Sequence, residues 1–169
     1  TAQDGGIINL YAVWIANSYV IEFNANDGVG SIDNQNRTYD DGKALTLNTS
    51  IYKEGYTFKG WLSSEGKTYI DGYVGNITSI NNATVTLTAI WEENTYKVIF
   101  HANNETNASN EQAFTYTQEQ ALTANQYFKL GFRFVGWSTT ENGSKEYDDA
   151  QLVSKLSSAK DGEYHLYAV

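Results

Sequence analysis

The sequence predicts a β-rich α+β protein made of two small tandem domains. Three observations lead there. Aromatic residues make up 14% of the 169 residues, with 13 Tyr, 7 Phe and 4 Trp. Tyr, Thr, Val and Ile, all strand formers, are abundant, and the many Asn favour the turns that short strands need. The chain also matches itself at a period near 77 residues. That period is too long for a solenoid repeat and suits a small independent domain.

The elements repeat in order. "SYVIEFNAN" at 18–26 matches "TYKVIFHAN" at 95–103. Tyr19, Ile21 and Phe23 alternate with polar or smaller neighbours, so the segment is a strand, and it ends at the turn signal "NANDG". "TYDDGKALTLN" at 38–48 matches "TYTQEQALTAN" at 115–125, again 77 residues on. "YKEGYTFKGW" at 52–61 matches "FKLGFRFVGW" at 128–137, with the offset slipped to 76. Slips of this kind must fall in loops, because a slip inside a strand would turn its side chains over. "TYIDG" at 68–72 matches "EYDDA" at 146–150. One helix is predicted, over "DAQLVSKLSS" at 149–158, with Leu152, Val153 and Leu156 on one face and a capping box of Asp148 and Gln151. Its counterpart, "DGYVGNITS", carries Gly72 and Gly75, so a helix there would be short or irregular. "VTLTAIW" at 85–91 alternates as a closing strand and matches "YHLYAV" at 164–169 and "INLYAVW" at 8–14.

Residues 1–14 therefore read as the closing strand of a preceding unit, residues 15–91 as a first repeat and residues 92–169 as a second. The absence of Met, and the stop one residue before an expected closing Trp, read as a piece of a longer chain. About four residues, "EENT", link the two repeats, which predicts a stiff junction with Trp14 and Trp91 packed near the junctions. An apolar strand at 8–14 without its own sheet is expected to add to a sheet edge on a neighbouring molecule.

Both copies keep Gly at 55 and 131, Phe at 58 and 134, Gly at 60 and 136, and Trp at 61 and 137. A unit of this size without disulfides needs a dense aromatic core. The predicted core is Phe23, Phe58, Trp61 and Leu87 in the first repeat, and Phe100, Phe134, Trp137 and Leu166 in the second. Gly55 and Gly131 suit a turn at positive φ, and Gly60 and Gly136 suit close backbone approach beside the Trp. The competing reading of these aromatics is a ligand platform for sugars.

The order Y-x-V/I-x-F-x-A-N, then G-Y-x-F-x-G-W, then L-Y-A-V-W resembles the Listeria–Bacteroides repeat, the B-repeat type of internalin surface proteins. The resemblance covers essentially the whole chain. It departs from the family in lacking the usual prolines before the glycine-aromatic phrase. It implies tandem β-grasp-like, ubiquitin-like units with a short helix over a sheet. It also implies arrays in extracellular, cell-surface or cell-wall proteins of bacteria, acting as stalks with neighbouring repeats as partners, and no catalytic residues.

Chemistry-bearing residues are sparse. No Cys is present, so disulfides, thiolate nucleophiles and Cys-based zinc sites are excluded. The net charge of −9, with no basic cluster, argues against nucleic acid and against anionic membrane surfaces. No stretch is apolar enough for membrane insertion. His101 and His165 fall opposite the apolar face and are expected to be exposed. "EYDD" at 146–149 could hold a cation through its oxygens. The first repeat offers only Asp71 there, which favours helix capping. No enzyme, cofactor or metal is implied. The two functional readings are a stalk module and a module binding a host surface protein or a glycan. Accessibility of Trp61 and Trp137 separates them.

Overall fold

A computed structural model describes residues 7–169. The described elements are all strands: β1 (Ser18–Asn24), β2 (Gln35–Thr38), β3 (Tyr56–Ser63), β4 (Thr68–Tyr69), β5 (Ala83–Glu93), β6 (Thr95–His101), β7 (Ser109–Thr115), β8 (Gln120–Ala121), β9 (Trp137–Ser138), β10 (Leu152–Val153) and β11 (Gly162–Ala168). The first five form one sheet in the order β2-β1-β5-β3-β4. A second sheet repeats the plan as β7-β6-β11-β9, with β8 and β10 paired separately. In each unit the first strand lies parallel to the last, with Tyr19 opposite Ala83 and Tyr96 opposite Gly162.

The predicted helix at 149–158 is absent, which corrects the α+β expectation: among the described residues the fold is all-β. Ala150 (φ 51°) and Lys155 (φ 58°) are both left-handed, so a right-handed helix cannot run through them. Leu152 and Val153 instead pair with Ala121 and Gln120, one side chain exposed and the next buried, as a strand requires. The first unit makes the same contact in shorter form, as a bridge between Ala44 and Val74, with Gly72 in the left-handed position that Ala150 fills in the second. Half of the capping box survives as a turn, since the Asp148 N–H donates to Gln151 Oε1 at 2.8 Å.

Each core is an indole held edge-on between two phenyl rings. Trp61 meets Phe23 at 5.0 Å and Phe58 at 4.9 Å. Trp137 meets Phe100 at 4.9 Å and Phe134 at 5.1 Å. Trp61, Leu87, Phe100, Trp137 and Leu166 are buried, and Phe23, Phe58 and Phe134 are half-buried against them. Gly60 explains the glycine before each Trp. A β-bulge falls between Phe58 and Gly60, φ there is 131°, and an added Cβ would stand 2.5 Å from the Tyr69 carbonyl. Gly136 repeats this against Tyr147 at 2.4 Å.

The two cores differ at one position. The first buries Arg37, whose Nε and Nη2 donate to Asp41 and whose Nη2 also reaches the Lys43 carbonyl at 2.7 Å. These hydrogen bonds hold the Asp41 carboxyl far below the usual carboxylate range. In the second unit Phe114 takes the place of Arg37 and stacks on Tyr96 at 5.4 Å, while Gln118 takes that of Asp41.

Residues 8–14, expected as a strand, form none. Ile8, Leu10 and Trp14 are exposed, because both flanks of β1 are already taken by β2 and β5. Residues 1–6 of that expected strand unit lie outside the described residues.

Two predictions follow from the cores. Neither Trp61 Nε1 nor Trp137 Nε1 has a hydrogen-bond partner among the described residues. Trp61→Ala should therefore destabilise the first unit by about 3–5 kcal/mol, while Trp61→Phe, which loses no hydrogen bond, should cost distinctly less; chemical denaturation of the two variants compares them. The second concerns acid. A carboxyl whose folded pKa lies below its unfolded value stabilises the fold above the unfolded pKa of about 3.9. That contribution is lost as pH falls through this range. Calorimetry of wild type and Asp41→Asn should show a melting-temperature gap at neutral pH that narrows under acid; a constant gap would contradict the assignment.

Candidate functional site at the junction between the units

One residue separates the units. β5 ends at Glu93, β6 begins at Thr95, and Asn94 stands between them. A short amide is suited to this place, because it carries a side-chain donor and acceptor beside those of its backbone. All four are used. The Asn94 N–H donates to the Gly55 carbonyl at 2.8 Å and Oδ1 accepts from Thr57 Oγ1 at 2.6 Å, both in the first unit. The Asn94 carbonyl accepts from the Tyr116 N–H at 3.0 Å and Nδ2 donates to the Ser158 carbonyl at 2.9 Å, both in the second. Asn94 is only 7% exposed, so these bonds form away from water, where an unpaired polar group is costly.

The clasp is completed by Tyr116. Its ring lies on Gly55, where an added Cβ would fall 1.9 Å from the ring, and it meets Tyr56 edge-on at 6.4 Å. Burial pushes its hydroxyl pKa up. Beside it, the N–H and hydroxyl of Thr117 both donate to the Glu93 carboxylate. Gly55, with φ of 76°, serves twice: it makes the left-handed turn and leaves room for the tyrosine.

The half of the clasp belonging to the second unit recurs in the first. Asn17 stands 77 residues before Asn94. Its carbonyl accepts from the Tyr39 N–H at 2.8 Å, and Nδ2 donates to the Ser79 carbonyl at 2.8 Å. These are the bonds that Asn94 makes to Tyr116 and Ser158. Sequence reading missed both asparagines, although the signal was present: "NSY" at 17–19 and "NTY" at 94–96 open the two repeats alike.

The expected junction tryptophans lie elsewhere. Trp91 packs into the first unit, ring to ring with Phe58 at 5.5 Å, and its Nε1 donates to the Ala25 carbonyl at 2.8 Å. Trp14 is 90% exposed and touches no junction. The cause is geometric. The closing strand continues two residues past Trp91, pairing Glu92 with Thr57 and Glu93 with Tyr56, so the junction falls beyond the indole.

The residues weighed for chemistry are placed as follows. His101 is half-buried rather than exposed, and its Nε2 lies 3.0 Å from Nδ1 of His165. Burial, and then the neighbouring imidazole, lower the His101 pKa. In "EYDD", Glu146 accepts from Ser138 and Thr139, Asp148 pairs with Lys145, and Asp149 caps the Asn125 N–H. No group of three metal-ligating side chains occurs among the described residues.

Comparison with known proteins agrees with the twofold plan. The profile of the Listeria-Bacteroides repeat domain matches residues 19–90 and again residues 96–169. A "Putative Gly-rich membrane protein" of Evansella cellulosilytica is 31% identical over 153 residues, which is 82% of this chain and 16% of that protein. A "Putative membrane protein" of the same organism is 31% identical over 144 residues, 83% of this chain and 20% of its own length. The chain thus spans a fifth or less of these relatives.

The junction yields a prediction that uses the repeat as its own control. Gly55 and Gly131 share nearly the same φ, 76° and 82°, but Gly55 lies under Tyr116 and nothing stands within 4 Å of Gly131. Gly131→Ala should cost only the left-handed strain, about 1–2 kcal/mol. Gly55→Ala should cost clearly more, since the tyrosine must leave. Equal losses in thermal denaturation would show that Tyr116 contributes nothing.

Proposed function

This chain belongs to the Listeria-Bacteroides repeat domain family, and from that premise we propose that it is a non-catalytic spacer, a stalk segment in an adhesin-like array on a bacterial surface. The observation that carries this reading is the junction: one linking residue, with all four hydrogen-bonding groups of Asn94 shared between the two units. A linker of one ordered residue leaves little freedom for the units to turn against each other. The parallel pairing of first and last strands supports the same role. The chain enters each unit at one end of the sheet and leaves at the other, and a pull on the ends loads the strand pair in shear. The strand order around that pair supports a β-grasp-like unit, with an irregular crossover where a helix was expected. The membrane-protein names of the relatives favour a surface location for the parent. No described helix is long and apolar enough to cross a membrane.

The alternative, a module binding a host protein or glycan through its repeated aromatics, gains nothing from Trp61 and Trp137, which are 0% and 1% exposed. An indole in that position packs a core and cannot stack on a sugar.

Distance measurement between spin labels tests the spacer. The chain has no cysteine, so labels placed by Glu65→Cys and Glu141→Cys, one exposed site per unit, are unambiguous. A single narrow distance distribution is expected, and Asn94→Ala should broaden it. A broad distribution in the chain with Asn94 intact would rule out a stiff spacer.

A further inference from the structure

The outer face of the second sheet carries a histidine pair that the first sheet lacks. His101 on β6 and His165 on β11 are the only two histidines of the chain. The strands run parallel, with His101 opposite Tyr167 and His165 opposite Ile99, so the two imidazoles are diagonal neighbours across the pair. His101 Nε2 and His165 Nδ1 stand 3.0 Å apart. Tyr167 stacks on His101 at 4.5 Å and supports that ring from its own strand. The first unit has the same backbone and different chemistry. Asn24, Thr86 and Thr88 stand there in place of His101, His165 and Tyr167, and Thr84 in place of Glu163. The four changes fall together on one surface patch, and none of the four residues belongs to the core of the second unit.

Neutral imidazole suits copper, nickel and zinc ions. Two nitrogens bound to one ion at about 2.0–2.1 Å lie about 2.9 Å apart at a right angle and about 3.3 Å apart at the tetrahedral angle. The observed 3.0 Å is nearer the right angle, the angle of tetragonal Cu²⁺ and Ni²⁺. A small turn of each ring about its Cβ–Cγ bond makes the two lone pairs converge. His165 also has the outer partner that orients a ligating imidazole: its Nε2 stands 3.5 Å from Glu163 Oε2, which directs the Nε2–H to the carboxylate and leaves Nδ1 bare toward His101. A second carboxylate, Glu141, lies within electrostatic reach of His101. We propose that His101 Nε2 and His165 Nδ1 form a surface site for a late divalent transition-metal ion, Cu²⁺ above all, which clips β6 to β11. His101 then carries its proton on Nδ1, a nitrogen with no hydrogen-bond partner among the described residues. Only two side chains ligate, so water fills the remaining positions. The first unit, with an amide and hydroxyls in these places, has no nitrogen lone pair to offer. The ion joins the first strand of its unit to the last, and the site stands on its own residues whether or not the chain is a spacer.

Titration of the full chain with Cu²⁺, followed by calorimetry and by electron paramagnetic resonance, tests this. One ion per chain is expected, with nitrogen couplings from two imidazoles. Because the chain has only two histidines, that signature can come from no other place within one chain. The first unit supplies the control substitutions. His101→Asn and His165→Thr each install the residue found at the equivalent position there, and each should leave at most one coupled imidazole and weaken binding by about tenfold or more. Both positions lie outside the core, so circular dichroism of the variants should match wild type. Glu163→Gln should keep the two-imidazole spectrum and weaken affinity by about tenfold, the usual effect of losing an outer-shell carboxylate; an unchanged affinity would overturn its orienting role. Ni²⁺ and Zn²⁺ should bind more weakly than Cu²⁺, and Mg²⁺ should not compete. No binding by wild type at millimolar Cu²⁺, equal binding by the variant carrying both His101→Asn and His165→Thr, a spectrum with a single imidazole, or one ion shared between two chains would each overturn the proposal.

Discussion

The parallel pairing of each unit's first strand with its last is the constraint from which the rest of the structure follows. Parallel neighbours cannot be joined by a tight turn, so the chain must cross over, and everything between the two strands becomes the crossover. In both units that crossover carries the glycine-aromatic phrase, and it returns antiparallel against the outer flank of the closing strand. The indole then falls over the central pair, where the sheet is covered on one face and the burial of a large ring contributes most. The same pairing sets the direction from the first unit to the second, because a chain that exits opposite its entry can begin the next unit at once. One residue suffices between β5 and β6 only because the geometry already points the right way.

The clasp at that residue shows how a repeat can define its own neighbour. Tyr116 needs a glycine beneath it, and the glycine is needed anyway for the left-handed turn that leads into β3. A single residue type therefore meets a local and an interdomain demand at once. The polar half of the clasp recurs at the start of the first unit, as Asn17 with Tyr39 and Ser79.

Much of this was legible in the sequence because the chain writes it twice. Alternation gave the opening and closing strands, and the slips in the offset placed the insertions in loops. The two Gly-Trp pairs pointed to a close backbone approach beside each indole, and the structure adds the bulge at Gly60. The helix was misread because Leu152, Val153 and Leu156 satisfy a helical face in the sequence, whereas Ala150 and Lys155 in left-handed backbone are invisible to a pattern of hydrophobicity. The first repeat had the warning, since Gly72 sits where Ala150 does. Trp91 was assigned to the junction by its place at the end of a motif, but strands end where pairing ends, two residues later. The asparagines were passed over because Asn is common here and reads as a turn residue. Only their contacts separate Asn94 from the others.

The two copies also show what the fold tolerates. At one core position the first unit buries a guanidinium with its carboxylate and carbonyl partners, and the second stacks phenylalanine on tyrosine. An ion pair taken out of water gains little net stability, and well-packed apolar groups of similar volume are commonly as good. What the arginine adds is connection: it ties the β2 end to the Lys43 and Gly75 carbonyls, two separate stretches of the crossover. Both units also tie these stretches with backbone, from the Leu45 N–H to the Tyr73 carbonyl in the first and from the Leu122 N–H to the Gln151 carbonyl in the second. The backbone tie is thus common to both irregular crossovers, and the first unit adds the buried ion pair to it where the second packs phenylalanine on tyrosine.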